Sequence, residues 1–220
     1  MKVCTDSCLF GAWIGEQNKG KTIERVLDIG AGTGLLSLMY AQKSNSKIDA
    51  IEIDIDAATQ ARENVNASPW KDNIYIINES LLKYQSAHSY DFIFSNPPFF
   101  EDDLISSNEQ KNKAKHNTSL TLKDLIIFIS KHLKSDGAGA LLIPYHRLDY
   151  LKSLLIDCDF HINQIALVKQ TGKHDYIRAM VNFSGKECDE HVSNEIIIKD
   201  ADGNYTSDFI DLLKEYYLHL

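Results

Sequence analysis

The segment Arg25-Val26-Leu27-Asp28-Ile29-Gly30-Ala31-Gly32-Thr33-Gly34 does most to limit what this chain can fold into. An apolar run ends in three glycines within five residues, and a Leu-, Met- and Ala-rich stretch, Leu35 to Lys43, follows at once. This order predicts a buried strand, a tight turn and a helix. Glycines let the backbone turn sharply and leave no Cβ between it and a ligand.

The same alternation recurs downstream. Lys47 to Glu52 reads as a second strand, and Asp54 or Asp56 is placed to cap a helix running toward Ala67 that ends at Ser68-Pro69. Ile74 to Ile77 and Tyr90 to Ser95 are the next strands. Asn96 to Ser119 reads as a long polar loop, a length that usually signals function. Thr121-Leu122-Lys123-Asp124 opens a helix to Leu133, Ala138 to Ile143 is a fifth strand, and another helix reaches about Ile156. Phe160 to Val168 and Tyr176 to Phe183 form two late strands around Gln170-Thr171-Gly172-Lys173-His174, and a helix near Ser207 to Tyr217 closes the chain. Strands alternating with helices imply an α/β fold, a doubly wound and mostly parallel sheet with helices on both faces. The seven strands end in an antiparallel pair at one edge, in a single domain over residues 1–220 whose first 20 form an N-terminal segment.

A doubly wound sheet binds its ligand at the carboxyl ends of its strands. Asp28 to Gly34, Glu52, Glu79 and Asn96 all fall at such ends. The spacing at Gly30, Gly32 and Gly34 is not that of a pyrophosphate loop, and the negative charge of Asp28 opposes a diphosphate. Glu52 follows Asp28 by a distance close to the roughly 20 residues at which an acid meets a ribose in dinucleotide folds. A ligand with a ribose and a positive charge but no phosphate points to S-adenosylmethionine. Glu79 is a candidate acceptor for the adenine amino group of that cofactor; a solvated surface acid is the alternative.

Asn96-Pro97-Pro98-Phe99 carries the chemistry. An exocyclic amine on a heterocycle is a poor nucleophile because its lone pair is delocalised into the ring. The Asn96 side-chain oxygen and the Pro97 carbonyl each offer an acceptor for an amino hydrogen, which favours a pyramidal nitrogen. Pro98 fixes the local backbone, and Phe99 offers a stacking face. Alignment rather than acid–base chemistry is then the source of catalysis. The residues alone leave the nitrogen open: a glutamine amide, a guanine amine or an adenine amine. A cofactor- or RNA-binding module without activity is the reading from another class.

With these motifs in place, the chain resembles class I S-adenosylmethionine-dependent methyltransferases of the Asn-Pro-Pro-aromatic group. More narrowly it resembles the bacterial valine-tRNA adenine-N6 methyltransferases. The resemblance rests on Met1-Lys2-Val3 with Thr5-Asp6 and Gly11-Ala12-Trp13, on Leu27 to Leu38, on Ala61 to Trp70 and on Ser95 to Phe100. Ala114-Lys115-His116 and Asp202-Gly203-Asn204-Tyr205 echo it more weakly. It implies a Rossmann-like fold and methylation of the adenine beside the anticodon of a valine tRNA. It further implies that Asp28, Gly30, Gly32, Gly34, Glu52, Glu79 and Thr5 bind the cofactor, and that Asn96, Pro97, Pro98 and Phe99 hold the base. Cys4 stands where the family commonly has glycine, Phe99 where tyrosine is commoner and Glu79 where aspartate is usual.

Charge sharpens the substrate class. The chain carries a formal net charge of −8, yet Asn108 to Lys134 holds six lysines against Glu109 and Asp124. A basic segment on an acidic body suits a phosphate-facing patch, a solvated loop being the alternative. Lys113, Lys115, His116, Lys173, His174 and Arg178 are the candidates for RNA phosphates. The four cysteines lack metal-site spacing, so no metal is expected. The start has no signal-peptide apolar core, and no apolar stretch reaches membrane-spanning length. The expectation is a cytoplasmic enzyme with a tRNA substrate, no membrane contact and no obligatory protein partner.

Overall fold

The computed structural model describes residues 4–97, 120–187 and 192–219. Strands are β1 (Arg25–Ile29), β2 (Lys47–Glu52), β3 (Ile74–Asn78), β4 (Tyr90–Ser95), β5 (Leu133–Pro144), β6 (His161–Thr171), β7 (Tyr176–Ser184) and β8 (Val192–Lys199). Helices are α1 (Thr5–Gln17), α2 (Leu35–Ala41), α3 (Ile55–Asn66), α4 (Leu122–His132), α5 (Leu148–Asp157) and α6 (Ser207–Leu213). The strands form one sheet in the order β3-β2-β1-β4-β5-β7-β6-β8.

The order reverses between β1 and β4, which run parallel with Ile29 opposite Ser95. This is the switch point at which a doubly wound sheet opens a crevice. The residues just past that pair, Gly30 and Asn96, border the same opening. Strand β7 runs antiparallel to both β5 and β6. The expected antiparallel pair is therefore present as β6–β7, but the sheet has eight strands rather than seven. The eighth, β8, pairs parallel with β6 and forms the outer edge.

Alternation along the central strands sorts their side chains onto two faces. Val26, Phe92, Phe94, Ala140 and Leu142 join a core with Leu36, Met39 and Tyr40 of α2, Ala58, Ala61 and Val65 of α3, and Phe209 and Leu213 of α6. Leu27, Ile29, Ile93, Leu141 and Ile143 join a second core with Leu125, Ile126 and Ile129 of α4 and Leu151, Leu154 and Leu155 of α5. Helix starts follow local capping. Asp54 accepts the Ala57 N–H at 2.8 Å, and Thr121 with Asp124 forms a reciprocal capping box.

The N-terminal segment is more than an extension. Cys8 to Gly15 of α1 are all buried, and Leu9, Phe10, Trp13 and Ile14 belong to the first core. Burial on that scale, with about 1.5–3 kcal/mol for each large apolar side chain, seats α1 firmly against α2 and α6. Among the described residues no helix is long and apolar enough to cross a membrane.

Candidate active site

The glycine turn is docked on the end of β2. The N–H groups of Gly30 and Ala31 both donate to the Ile51 carbonyl at 2.9 Å. The Gly32 N–H donates to Glu52 Oε2 at 2.7 Å, and Asn64 of α3 donates from Nδ2 to the Thr33 carbonyl at 2.9 Å. Gly30 has φ +74°, and a Cβ there meets nothing within 4 Å among the described residues. The turn thus exposes bare backbone to the crevice on that side. Gly34 has φ +82°, a left-handed conformation that glycine adopts without strain, and it starts α2 in van der Waals reach of Ala61 on α3.

Glu52 is nine-tenths buried and has a task that sequence reasoning did not assign to it. Besides Gly32, its carboxylate accepts the Asp54 N–H at 2.9 Å through Oε1. Each oxygen keeps acceptor capacity for a ligand hydroxyl. Asn78 of β3 donates to the carbonyls of Glu52 and Ile53 at 2.9 and 3.1 Å, and the Glu79 N–H donates to the Glu52 carbonyl at 3.2 Å. The ends of β2 and β3 are thereby tied together, with the exposed side chains of Ile53 and Glu79 beside Glu52.

Asp28 lies wholly buried at the end of β1. Its Oδ2 accepts from Ser37 Oγ of α2 at 2.7 Å, while Oδ1 has no partner among the described residues. Burial pushes its carboxyl up to about 7; the nearby Glu52 charge adds to the rise and the Ser37 hydroxyl opposes it. An orphaned carboxylate oxygen beneath a glycine turn suits a cationic group, directly or through a bridging water. The donor set therefore fits S-adenosylmethionine: bare backbone, an acid for hydroxyls and a buried acid for positive charge.

On the other side of the switch point, Ser95 donates from Oγ to the Ile29 carbonyl at 2.6 Å and locks β4 to β1. Asn96 follows. Its Nδ2 donates to Ser7 Oγ of α1 at 2.8 Å, and its Oδ1 is buried without a partner among the described residues. The preceding residue of α1, Asp6, accepts from Arg178 Nε of β7 at 2.9 Å. The first turn of α1 is thus pinned at two points, to β4 and to β7. The site has an amide that gives one N–H to Ser7 and whose acceptor oxygen is unpaired among the described residues.

The structure brings Asp28, Gly30, Gly32, Gly34, Glu52, Glu79, Asn96 and Pro97 to one end of the sheet. Thr5 begins α1 on the same side and is exposed. Arg178 is paired with Asp6. Lys173 and His174 lie on the exposed β6–β7 hairpin. Pro98, Phe99, Lys113, Lys115 and His116 lie outside the described residues. Ser7, Ser37 and Ser95 were missed, because each matters only through a partner distant in sequence. Among the described residues no group of three or more His, Cys, Asp or Glu side chains is arranged to hold a metal ion.

Sheet order, glycine turn, the two strand-end acids and the Asn-Pro-Pro segment define a class I S-adenosylmethionine-dependent methyltransferase. Residues 16–177 match the family described as Methyltransferase small domain. A tRNA1(Val) (adenine(37)-N6)-methyltransferase of Bacteroides thetaiotaomicron is 38% identical, covering 100% of this chain and 92% of the relative. One from Aliivibrio fischeri is 37% identical with the same coverage of each. The chain belongs to the tRNA1(Val) (adenine(37)-N6)-methyltransferase family. Solved structures share its fold. A predicted O-methyltransferase, protein Atu636, of Agrobacterium tumefaciens superposes with TM-score 0.70 at 15% identity over 95% of both chains. A glycopeptide N-methyltransferase, MtfA, in complex with S-adenosylmethionine gives 0.59 at 11% identity, covering 81% of this chain and 87% of that one.

Proposed function

We propose that this chain transfers a methyl group from S-adenosylmethionine to N6 of adenine 37 in tRNA1(Val), the reaction named for its relatives. The observation that carries the reading is the Asn96 amide, with Nδ2 held by Ser7 and Oδ1 buried and unpaired at the switch point. Bound beside it, S-adenosylmethionine supplies an electrophilic methyl group on a sulfonium.

The protein's own residues bind and align. Glu52 accepts from ribose hydroxyls, the backbone of Gly30 to Gly34 lets the cofactor approach closely, and Asp28 balances its cationic amino group. Glu79 faces the adenine of the cofactor, and Thr5 covers the methionine end. Asn96 Oδ1 accepts one hydrogen of the target amino group and the Pro97 carbonyl the other. Both bonds withdraw the nitrogen lone pair from the ring and aim it at the methyl carbon. Pro98 fixes the backbone there, and Phe99 stacks on the base. The amino proton leaves to water after transfer, so no base of unusual pKa is required.

An anticodon-loop adenine is already unpaired from a complementary strand, which lowers the cost of drawing it into a pocket below that in a duplex. Lys173 and His174, with Lys113, Lys115 and His116, contact phosphates. Arg178 is committed to Asp6 and acts on α1 instead. A tRNA substrate places the enzyme in the cytoplasm.

The test is methyl transfer from labelled cofactor to an unmodified tRNA1(Val) transcript, against a transcript with guanine in place of the target adenine, a peptide and duplex DNA. Label on the first alone is expected, with affinity falling as salt rises. Label on the peptide or DNA and none on the tRNA overturns the reading.

A further inference from the structure

The end of β5 and the β6–β7 hairpin carry an aromatic and basic surface that the methyl-transfer site does not use. Pro144 stops β5, and Tyr145–Arg147 make a single 3-10 turn into α5. The turn leaves Tyr145 and Tyr150 39% and 45% exposed. The Tyr145 ring lies 5.0 Å from that of Tyr176, inclined at 49°. The Arg147 guanidinium lies 5.2 Å from the Tyr150 ring centre; the Lys169 ammonium lies 4.4 Å from that of Tyr176 and is committed to the Glu195 carboxylate at 2.8 Å, so it supports the ring rather than a phosphate. Alongside, Thr171 Oγ1 bonds to His174 Nδ1 at 2.7 Å and accepts the Lys173 N–H at 3.3 Å, which fixes the tip of the hairpin.

A scattered surface tyrosine needs no explanation. Three in one patch, interleaved with arginine, lysine and histidine, have the composition of a single-strand binder: ring faces for bases and cations for phosphates. The position points to the same occupant as the active site. Asn96 is held by Ser7, its neighbour Asp6 is held by Arg178, and Arg178 pairs across the sheet with Pro144, one residue before Tyr145. The patch therefore borders the crevice on the side of β5 and β7. Nucleotides flanking a base held at Asn96 must leave the crevice past one of its rims, and this rim offers them planar faces.

We propose that Tyr145, Tyr150 and Tyr176, with Arg147, Lys173 and His174, form a stacking platform for the unpaired nucleotides that flank the target base in an RNA loop. The platform rests on the proposed tRNA reading and extends it to residues that the methyl-transfer chemistry leaves idle.

The test uses the full chain, an unmodified tRNA1(Val) transcript, steady-state methylation and filter binding. Tyr145→Ala and Tyr150→Ala are each expected to raise KM and Kd for the transcript about tenfold, the loss typical of one base–aromatic stack. Cofactor Kd stays within about twofold of wild type in both, since each residue is exposed and neither belongs to the glycine turn or the strand-end acids. Tyr145→Phe and Tyr150→Phe retain wild-type affinity, because the ring and not the hydroxyl makes the contact. Unchanged transcript affinity in both alanine variants, with a wild type that methylates the transcript, overturns the platform and leaves the proposed function standing. Phenylalanine variants as weak as the alanine variants overturn stacking as the contact. A wild type that binds cofactor but neither binds nor methylates the transcript overturns the proposed function and the platform together.

Discussion

Ser7 Oγ accepts a hydrogen bond from Asn96 Nδ2 at 2.8 Å, joining the first turn of α1 to the end of β4 across 89 positions of sequence. The bond ties the amide to α1 with Nδ2 toward Ser7 and leaves Oδ1 without a partner among the described residues. With Nδ2 engaged, Oδ1 is the atom left for the substrate. Ser7→Ala removes the acceptor and lets the amide rotate. One hydrogen bond of about 1 kcal/mol corresponds to a five- to tenfold fall in kcat. Ser7→Thr keeps the hydroxyl and is expected to keep most of the rate. Cofactor affinity does not change in either. Single-turnover methylation with cofactor titration checks this, and a wild-type rate in Ser7→Ala rules out the positioning role.

Asn96→Ala removes the acceptor itself. Loss of one preorganised group at a reacting centre costs roughly 100- to 1,000-fold in rate. Among the described residues no hydrogen bond joins Asn96 to the glycine turn, whose own bonds go to Ile51, Glu52 and Asn64, so cofactor binding by calorimetry is expected to survive. A variant that binds cofactor and methylates tRNA at the normal rate removes Asn96 from the chemistry.

Much of this site is legible locally in the sequence. Tyr90 to Ser95 and the glycine turn are written in short-range pattern, and the structure forms both at those residues; of the two cap candidates Asp54 and Asp56 it selects Asp54. Helix α1 is not legible in that way. Cys8 to Gly15 are buried all round, so no apolar stripe of helical period marks it. Strand β8 is equally hidden: among its residues with described burial, Ile196 and Ile198 alone are buried, both on the first core, and its pairing depends on the free edge of β6. Ser7 and Ser37 carry no signal of their own, because a serine hydroxyl acquires its role from a partner that the fold supplies.

The buried Asp28 carboxyl, pushed up to about 7 by its burial, makes apo-enzyme stability depend on pH. In the unfolded chain the same group titrates near an ordinary aspartate value of about 3.9. Between about pH 4 and about pH 7 the folded state holds a proton that the unfolded chain has released. This group's contribution to stability therefore falls as pH rises through that window and is level above it. Asp28→Asn deletes the titration. The fall in apo Tm from pH 5 to pH 8 is expected to be smaller in Asp28→Asn than in wild type, while cofactor affinity weakens. Parallel melting curves for the two proteins would show that the carboxyl is not perturbed.

Arg178 and Asp6 give a test of how α1 is seated. The pair is about three-quarters buried on each side, and Arg178 lies on β7 while Asp6 precedes Ser7. Arg178→Ala leaves the Asp6 carboxylate without that partner at the start of α1, which costs more than an exposed ion pair of up to about 1 kcal/mol. Because Ser7 follows directly, the loss reaches Asn96. The expectation is a several-fold fall in kcat with little change in the salt slope of tRNA binding. A steep loss of salt dependence instead identifies Arg178 as a phosphate contact.

Glu52 separates two tasks that the sequence merges. As a ribose ligand alone, its replacement would weaken cofactor binding and leave the apo protein as stable as before. The structure gives it a second task, since its two oxygens accept the N–H groups of Gly32 and Asp54 at 2.7 and 2.9 Å in a site nine-tenths buried. Hydrogen bonds to a charged acceptor are worth roughly 1.5–3 kcal/mol each. Glu52→Gln keeps one acceptor and sets an amide donor against the other N–H. It is expected to lower apo stability by about 1.5–3 kcal/mol, with Glu52→Ala costing more. The same variants lose cofactor affinity, because the turn that Glu52 holds is the surface the cofactor approaches. Urea denaturation of the apo protein distinguishes the two accounts. Wild-type apo stability in Glu52→Gln, alongside weakened cofactor binding, means that the carboxylate serves the ligand only and that the turn is held by the Ile51 carbonyl and Asn64.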